Sequence, residues 1–271
     1  MIDEPALNPA AVGATLTTAW LGRVYRYAAE IDSTNEQMKQ WAADGAPQGA
    51  VLLADYQSAG RGRLDRRWDA PPGTALLLSV LLRPAGWPAE RGAWLTMLAG
   101  LAVAEAIEAV ASFPARLKWP NDVLVEQDGQ WRKVCGLLLD ATLDGERLAT
   151  AIVGIGLNVN VPASDLAAFA TPATSLLAAG GRPLARRGLL AALLARLEHA
   201  YDAADAGQSP VGAWSARLET LGQAVTVTAA GAAAPLLGVA EGVDEYGRLL
   251  VRDAAGQSHT IAAGDVTLRA R

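Results

Sequence analysis

The chain has 271 residues, of which 51% are hydrophobic and 19% are charged, and its formal net charge is -5. This composition supplies ample apolar material for a buried core and excludes a disordered chain. The negative balance also excludes a protein whose whole surface binds nucleic acid, because such a surface is basic.

Targeting and redox features of the sequence indicate where the protein works. The N-terminus, Met1-Ile-Asp-Glu-Pro5, is acidic and lacks the basic and apolar segments of a secretory signal. The longest apolar run, Gly92–Ala104, lies between Arg91 and Glu105 and is shorter than the ~20 residues that a membrane helix needs. The single cysteine, Cys135, cannot form an internal disulfide, and two histidines are too few for a zinc cluster. We therefore expect a soluble, cytoplasmic protein in which Cys135 is an inert core thiol.

The apolar periodicity predicts a larger mixed domain followed by a small β domain. In chain order we expect a helix over 8–20, a strand over 23–31, a helix starting at 33, and strands over 50–54 and 74–82, the latter buried on both faces. There follow a core helix over 90–111, one strand over 116–125 interrupted by Pro120, a hairpin turn at Gly129, strands over 133–141 and 148–161, and helices within 175–206. After a short helix at 214–221, short alternating segments at 224–228, 234–241, 248–252 and 259–262 are typical of a β-barrel. The predicted domains are 1–220 and 221–271.

A loop rich in glycine and arginine, Asp55–Trp68, follows the second predicted strand. Gly60 and Gly62 let the backbone turn and approach a ligand closely, and four arginines put positive charge on the same loop. Successive backbone N–H groups in such a turn can form a concave site for phosphate or carboxylate oxygens. The loop therefore predicts an anion site, although a solvated basic loop or a nucleic-acid contact would have the same composition.

Three further patches combine polar or basic residues with turn formers. They are Ser33-Thr34-Asn35, Lys118-Trp-Pro-Asn-Asp122 with Lys133, and Gly154-Ile-Gly-Leu-Asn-Val-Asn160. The third patch is not a dinucleotide fingerprint, because Val159 stands where the third glycine would be, and the sequence has no Walker A motif. Each patch alone also has a structural explanation, namely helix capping, turn formation and close strand packing respectively.

Together, in this order and at this spacing, the four patches resemble those of the biotin protein ligases over essentially the whole chain. That family activates biotin with ATP and attaches it to a lysine of a carrier domain. The run Lys118–Asp122 followed by Lys133-Val-Cys-Gly136 is the most specific part, and Gly264–Arg269 is similar to the end of the family's SH3-like domain. The resemblance implies an α/β (α+β) fold: a mixed β-sheet with packed helices, similar to the core of class II aminoacyl-tRNA synthetases, plus a small C-terminal SH3-like β-barrel.

The resemblance also implies roles for individual residues. The catalytic candidates are Lys133, Arg63 and Arg66, whose charges would offset the negative charge that builds up as the biotin carboxylate attacks ATP. Biotin binding is assigned to Ser33, Thr34, Asn35, Gln57, Gly60, Arg61, Gly62, Arg63, Lys133, Gly136, Gly154 and Gly156. Contacts to ATP and the adenylate are assigned to Arg63, Arg66, Trp68, Lys118, Asn121 and Asn158. Asp122 is interpreted either as a metal ligand or as the partner of a lysine.

The expected cofactors are ATP and Mg²⁺, with biotin as substrate and the apo biotin carboxyl carrier protein of acetyl-CoA carboxylase, or of a related carboxylase, as partner. Only about 30 residues precede Ser33, too few for the DNA-binding domain of some family members. We therefore expect no DNA binding, no membrane, and a monomer or homodimer. The alternatives are a lipoate-type protein ligase and a non-catalytic biotin-binding or sensing protein.

The loop departs from the family pattern at two positions. Leu64 and Asp65 stand where small or basic residues and a glycine are usual, which changes the charge and flexibility of the loop. We expect this departure to affect retention of the adenylate and not the reaction itself. We also expect the loop to become ordered only when its ligands bind.

Overall fold

A computed structural model of the chain describes residues 7–64, 66–166, 172–228 and 234–268. The first group of elements comprises α1 (Pro9–Gly13), β1 (Tyr25–Ile31), α2 (Thr34–Ala43), β2 (Val51–Gln57), β3 (Ala75–Leu82), a 3₁₀ turn (Ala89–Arg91), α3 (Gly92–Ala111), β4 (Ala115–Lys118), β5 (Asp122–Gln127), β6 (Gln130–Asp144), β7 (Arg147–Asn158), α4 (Ala163–Leu166), α5 (Leu176–Gly180), α6 (Arg186–Asp205) and α7 (Val211–Ser215). The second group comprises β8 (Ala224–Thr228), β9 (Leu236–Val243), β10 (Leu249–Asp253), β11 (Ser258–Ile261) and β12 (Asp265–Leu268). The predicted mixed fold with a C-terminal β segment is confirmed.

The larger sheet has seven strands in the order β1-β2-β3-β7-β6-β5-β4. Strands β1 and β2 are parallel, and the other neighbours are antiparallel. Every residue of β3 is buried, as predicted, because helices cover both faces of the sheet. Leu78 and Val80 belong to the cluster that contains α3 and α6, whereas Leu81 on the opposite face packs with Met38 and Trp41 of α2.

Helix α3 and the preceding 3₁₀ turn form a continuous stretch, Ala89–Ala111, that is long and apolar enough to cross a membrane by length and composition alone. The prediction that this run is too short was wrong, because the helix continues past Glu105. Its apolar character has a structural cause: 67% of the apolar window is buried inside the protein. The helix packs against α6 and against strands β4 and β6, which is the position of a core helix.

Three predicted elements differ in the structure. The helix expected over 8–20 is confined to α1, because the following backbone is held by Glu198, whose carboxylate accepts hydrogen bonds from the N–H groups of residues 19, 20 and 21 at 2.6, 2.8 and 2.7 Å. The single strand expected over 116–125 is instead an antiparallel hairpin of β4 and β5, with the cis Trp119–Pro120 bond in its turn. Pro120 lies in the turn because proline cannot donate to a strand ladder. The helix expected at 214–221 is α7, which ends at Ser215, after which Leu218 runs beside Leu117 of β4.

The smaller sheet has the order β11-β10-β9-β8-β12, with antiparallel neighbours throughout. Its buried residues, such as Val227 and Leu249, belong to the same hydrophobic cluster as those of the larger sheet. Trp119 at the β4–β5 turn donates a hydrogen bond to Gly247 O at 2.9 Å, which joins the two sheets next to the site described below. The predicted boundary at 220 and 221 falls between α7 and β8, and the division into two domains stays a prediction.

Candidate active site

A cavity of about 1570 Å³ opens on the face of the larger sheet that α2 covers. Pockets for one small molecule usually measure about 300–1,000 Å³, so this cavity has room for more than one ligand. Its lining brings together most of the residues singled out in the sequence: Ser33, Thr34, Asn35, Gln57, Arg61, Gly62, Arg63, Arg66, Trp68, Lys118, Asn121, Asp122, Lys133, Gly136, Gly154, Gly156 and Asn158. Gly60 does not line the cavity but packs directly beneath the backbone oxygen of Trp68.

Strand order explains why residues far apart in sequence meet here. Gly156 of β7 pairs with Leu77 on one side and with Gly136 of β6 on the other, and Gly136 pairs with Asp122 of β5. Asp122, Gly136 and Gly156 thus form one row across the sheet. Because two of these three residues have no side chain, the sheet backbone itself forms the floor of the cavity.

One end of the cavity is built by the start of α2 and the end of β2. Gln57 Oε1 accepts hydrogen bonds from the Thr34 N–H at 2.7 Å and from the Thr34 hydroxyl at 3.0 Å. Ser33 occupies the N-cap position of α2, but its side chain makes no capping hydrogen bond, so the capping explanation does not apply to it. Ser33, Thr34 and Gln57 are all buried and line the cavity, which leaves the Ser33 hydroxyl and the Gln57 amide nitrogen as polar groups for a ligand.

The Asn35 side chain is occupied within the wall of the cavity. Its Oδ1 accepts a hydrogen bond from the Ser79 hydroxyl at 2.6 Å, and its Nδ2 donates to Asp140 Oδ2 at 2.9 Å. A Cβ placed on Gly154 would collide with Asn35 Oδ1, so packing against Asn35 explains this glycine. The sequence interpretation missed Ser79 and Asp140. Ser79 could have been identified in the sequence, because it is the one hydroxyl-bearing residue in the otherwise apolar run that forms β3.

The glycine- and arginine-rich loop folds back on itself above the cavity. Gly62 N–H donates to Arg66 O at 2.6 Å, and Trp68 N–H donates to Gly60 O at 2.9 Å. The Arg63 guanidinium donates to Asn121 Oδ1 at 3.1 Å and to Gly264 O at 3.0 Å. The smaller sheet therefore contacts the loop through the backbone that precedes β12.

Two further arginines of the loop are ion-paired. Arg66 pairs with Asp265 at the start of β12, and Arg61 pairs with Glu36 of α2. Asp65 lies outside the described residues, and its expected effect on adenylate retention stays a prediction. The proposal that the loop becomes ordered when ligands bind stays a prediction.

Lys133 and Asp122, which both line the cavity, form an ion pair with 2.6 Å between Lys133 Nζ and Asp122 Oδ1. Lys133 Nζ also lies 5.5 Å from the centre of the Trp68 ring, within cation–π range. Burial lowers the pKa of the nearby Lys118, an effect that Asp122 opposes and Lys133 reinforces. The geometry matches the interpretation of Asp122 as the partner of a lysine.

The Trp68 ring packs against the glycine floor. A Cβ placed on Gly156 would come within 2.6 Å of Trp68 Cε2, and one on Gly136 within 2.8 Å of Trp68 Cζ3. Trp68 Nε1 and Asn158 Oδ1 are buried and have no hydrogen-bond partner among the described residues. Asn158 Nδ2 donates to Thr174 O at 3.1 Å, which orients the amide. The cavity therefore holds a donor and an acceptor that a ligand could satisfy. Asp122 Oδ1 is also buried without a hydrogen bond, and its compensation among the described residues is the charge of Lys133.

The described residues contain no group of three or more His, Cys, Asp or Glu that could hold a metal ion. Mg²⁺ in proteins is usually bound by one or two carboxylates together with substrate phosphates. Asp122 is the sequence-predicted carboxylate here, and it is already paired with Lys133. Within residues 7–64, 66–166, 172–228 and 234–268, the lining of the cavity thus contains no metal-binding cluster.

Comparison with known proteins gives consistent matches along the chain. Residues 27–158 match the biotin/lipoate A/B protein ligase family, and residues 220–269 match the biotin protein ligase C-terminal domain. The biotin--[acetyl-CoA-carboxylase] ligase of Mycobacterium tuberculosis is 33% identical, with 98% of this chain and 95% of that protein covered. The ligase of the same name from Paracoccus denitrificans is 36% identical over 87% of this chain and 97% of its own length.

Solved structures also match this chain. The biotin protein ligase of Aquifex aeolicus in complex with biotin and ATP superposes with a TM-score of 0.74 at 30% sequence identity, with 91% of this chain and 99% of that chain covered. A biotin protein ligase of Leishmania major in complex with biotin, at 22% identity and a TM-score of 0.60, shares the fold.

Proposed function

This chain belongs to the biotin protein ligase family, and from that premise we propose how its cavity carries out the reaction. The protein is an ATP-dependent ligase that attaches biotin to a carboxylase. In the first step the biotin carboxylate attacks the α-phosphorus of ATP, which forms biotinyl-5'-AMP and releases pyrophosphate. In the second step the amine of a carrier lysine attacks the acyl carbon and releases AMP. The observation that carries this assignment is the Lys133–Asp122 pair above the glycine floor, between two differently lined ends of one cavity.

The end formed by Ser33, Thr34 and Gln57 is proposed to hold the ureido ring of biotin. That ring has one carbonyl acceptor and two N–H donors, so its recognition needs groups of both kinds. The buried Ser33 hydroxyl can donate or accept, and the Gln57 amide nitrogen can donate. The backbone of Arg61, which lines the cavity between Gly60 and Gly62, would complete the contact. The Asn35 amide is already hydrogen-bonded to Ser79 and Asp140, so its proposed role is to keep the cavity wall in place and not to contact biotin directly.

Lys133, Arg63 and Arg66 are proposed to offset the charge that opposes the first step. Two unit negative charges about 3.3 Å apart repel by about 5 kcal/mol at an effective dielectric of about 20. Lys133 would neutralise the biotin carboxylate, and its ion pair with Asp122, at 2.6 Å, supports this role by holding the ammonium within the cavity. Arg63 and Arg66 would neutralise phosphate oxygens, and Arg66 would have to exchange Asp265 for the ligand. An in-line displacement needs no protein nucleophile, so positioning contributes much of the remaining acceleration.

The end formed by Trp68, Asn121 and Asn158 is proposed to hold the nucleotide. Asn158 Oδ1 is a buried acceptor without a partner among the described residues, and the exocyclic amine of adenine is a donor of matching kind. Guanine presents a carbonyl oxygen at that position and would leave the acceptor unpaired, which costs free energy. We therefore expect ATP to be preferred over GTP, and Asn158→Ala to raise the KM for ATP about tenfold while the KM for biotin stays unchanged.

The second step requires the carrier lysine to lose its proton, and we propose that desolvation at the site achieves this without a dedicated base. The lowered pKa of Lys118, which burial in the same cavity causes, supports this proposal. If instead Asp122 were the base, Asp122→Asn would abolish transfer while adenylation continued. An unchanged pH profile of transfer in that variant would support desolvation.

Several properties beyond the ligase reaction itself belong to this proposal. We propose that Mg²⁺ enters as part of the ATP substrate, that the carrier is the apo biotin carboxyl carrier protein of acetyl-CoA carboxylase or of a related carboxylase, and that the reaction takes place in the cytoplasm. We also propose that the chain does not bind DNA and is a monomer or homodimer. A specific gel shift with biotin and ATP present would contradict the absence of DNA binding.

The test of the function is incorporation of labelled biotin into a purified carrier domain, measured for the wild-type chain and for Lys133→Ala. Incorporation that requires ATP and disappears in the variant supports the proposal, and equal rates would refute the role of Lys133. Lipoate in place of biotin tests the lipoate-type alternative. Biotin-dependent exchange of label between pyrophosphate and ATP tests the non-catalytic alternative, because a binding protein would show no exchange.

A further inference from the structure

Four side chains of alternating charge form a row along the outer side of α2, next to the proposed biotin end of the cavity. We call it the α2 relay, and it consists of Arg61, Glu36, Lys39 and Asp140. Lys39 Nζ lies 3.0 Å from Glu36 Oε1 and 3.2 Å from Asp140 Oδ2. Glu36 Oε1 is also the partner of Arg61 in the glycine- and arginine-rich loop. The relay thus connects that loop with strand β6.

The relay ends on a buried polar group of the cavity wall. Asp140 Oδ2 accepts the hydrogen bond of Asn35 Nδ2 at 2.9 Å, and Asn35 Oδ1 is held in turn by the Ser79 hydroxyl at 2.6 Å. Asn35 is only 3% exposed and follows Ser33 and Thr34 directly in the chain. The relay therefore touches both segments that are proposed to recognise biotin, namely the turn at residues 33–35 and the loop around Arg61.

The strength of the relay differs along its length. The side chains of Lys39 and Glu36 are 37% and 36% exposed, and a single exposed ion pair contributes little. At the other end, loss of the Asp140 acceptor would leave a buried Asn35 donor unpaired, which is costly. Burial alone would lower the pKa of Lys39, but its hydrogen bonds to Glu36 and Asp140 outweigh that effect and raise the pKa. Lys39 consequently remains charged at neutral pH and keeps both carboxylates in place.

We propose that Asp140 and Lys39 are positioning residues for biotin: they fix the side chain of Asn35, and with it the turn at residues 33–35, while Glu36 anchors the loop through Arg61. This inference rests on the proposed function, because it concerns the biotin end of the same cavity. None of the three proposed residues needs to contact biotin. Their effect should appear in biotin binding and should be absent from ATP binding.

The test compares Asp140→Leu with Asp140→Asn, measured by biotin-dependent pyrophosphate exchange at varied biotin and varied ATP. Asp140→Leu removes the acceptor and should raise the KM for biotin about tenfold, the size expected for loss of one hydrogen bond to a charged group. Asp140→Asn retains an oxygen acceptor for Asn35 and should stay within about threefold of the wild type. The KM for ATP should change by less than about twofold in both variants, since the nucleotide end is not connected to the relay.

Glu241→Gln is the matched control, because Glu241 forms an exposed ion pair with Arg252 in the smaller sheet at 2.5 Å. It should leave both KM values unchanged. If Asp140→Leu does not fold, Lys39→Met serves in its place, at a side chain that is 37% exposed, and should also raise the KM for biotin. Equal KM values for biotin in wild type and in a folded Asp140→Leu, or parallel increases for biotin and ATP, would overturn the proposal. Failure of the proposed function is distinguishable, because the wild-type chain would then show no biotin-dependent exchange.

Discussion

Replacement of Lys133 by methionine removes an ammonium group from the cavity while most of the side-chain volume is retained. Lys133 is 24% exposed and Asp122 16% exposed, so the charge acts in a partly desolvated site. A unit charge about 4 Å from a carboxylate contributes about 4 kcal/mol at an effective dielectric of about 20. If this interaction is made mainly in the transition state, Lys133→Met should reduce kcat/KM of adenylation about 10³-fold.

The assay is biotin-dependent pyrophosphate exchange, combined with urea unfolding to separate activity from stability. Lys133→Met leaves Asp122 without its partner, so a loss of stability is expected as well. The double variant Lys133→Met with Asp122→Asn removes both charges and should regain stability without regaining activity. Arg217→Met is a matched control, because Arg217 and Glu108 form an ion pair of the same 2.6 Å length outside the cavity. A loss smaller than about tenfold in Lys133→Met would refute the electrostatic role of Lys133.

Three further predictions test the floor, the N-terminal anchor and the buried thiol. Gly156→Ala places a Cβ within 2.6 Å of the Trp68 ring and should lower the rate of adenylation about 100-fold by displacing that ring. Gly242→Ala is the control and should leave the rate unchanged, because its Cβ would have its nearest neighbour at 4.0 Å. Burial raises the pKa of Glu198, but three backbone N–H groups outweigh it and hold that pKa below its usual range. The stability that Glu198 contributes is therefore present above its unfolded pKa and lost as pH falls through its folded pKa. Urea unfolding between about pH 3 and 7 should show that the free energy of unfolding falls less steeply with decreasing pH in Glu198→Gln than in the wild type. An equally steep fall in both proteins would contradict this. Burial raises the pKa of the Cys135 thiol, so a thiol reagent at about pH 8 should modify it only at the rate of unfolding, and faster labelling of the native protein would disprove its burial.

The patterns that could be interpreted from the sequence are those with a local physical cause. The run of apolar residues in β3 indicated burial on both faces, and the Asp128–Gly129 turn between β5 and β6 was indicated by its glycine, which has a φ of 74°. Both features depend on neighbours a few residues away, which the sequence displays directly. For Asp122 the resemblance implied either a lysine partner or a metal, and it did not identify Lys133, which lies on the neighbouring strand, as that lysine.

The errors have an equally physical origin. The strand expected over 116–125 is a hairpin, because the local apolar pattern is the same on both sides of Pro120 and does not record a reversal of the chain. The helix expected over 8–20 stops at Gly13, because Glu198 lies far away in sequence and supplies the acceptor for residues 19–21. In the second case a tertiary contact outweighed local helix propensity, whereas in the first the residues do form strands and the error was a missed turn.

The sequence by itself determined the fold class, the family and many of the residues that line the cavity, because hydrophobic period, glycine placement and motif spacing are properties of the chain read in order. Only the tertiary structure decided which polar groups are paired and which remain for a ligand. Asn35 and Asn158 look alike in sequence, yet the first is held by Ser79 and Asp140, whereas the second keeps a buried oxygen without a partner among the described residues. The difference arises because hydrogen bonds and ion pairs depend on distances of about 3 Å between atoms, which are fixed by the order of the strands in the sheet and not by their order in the chain.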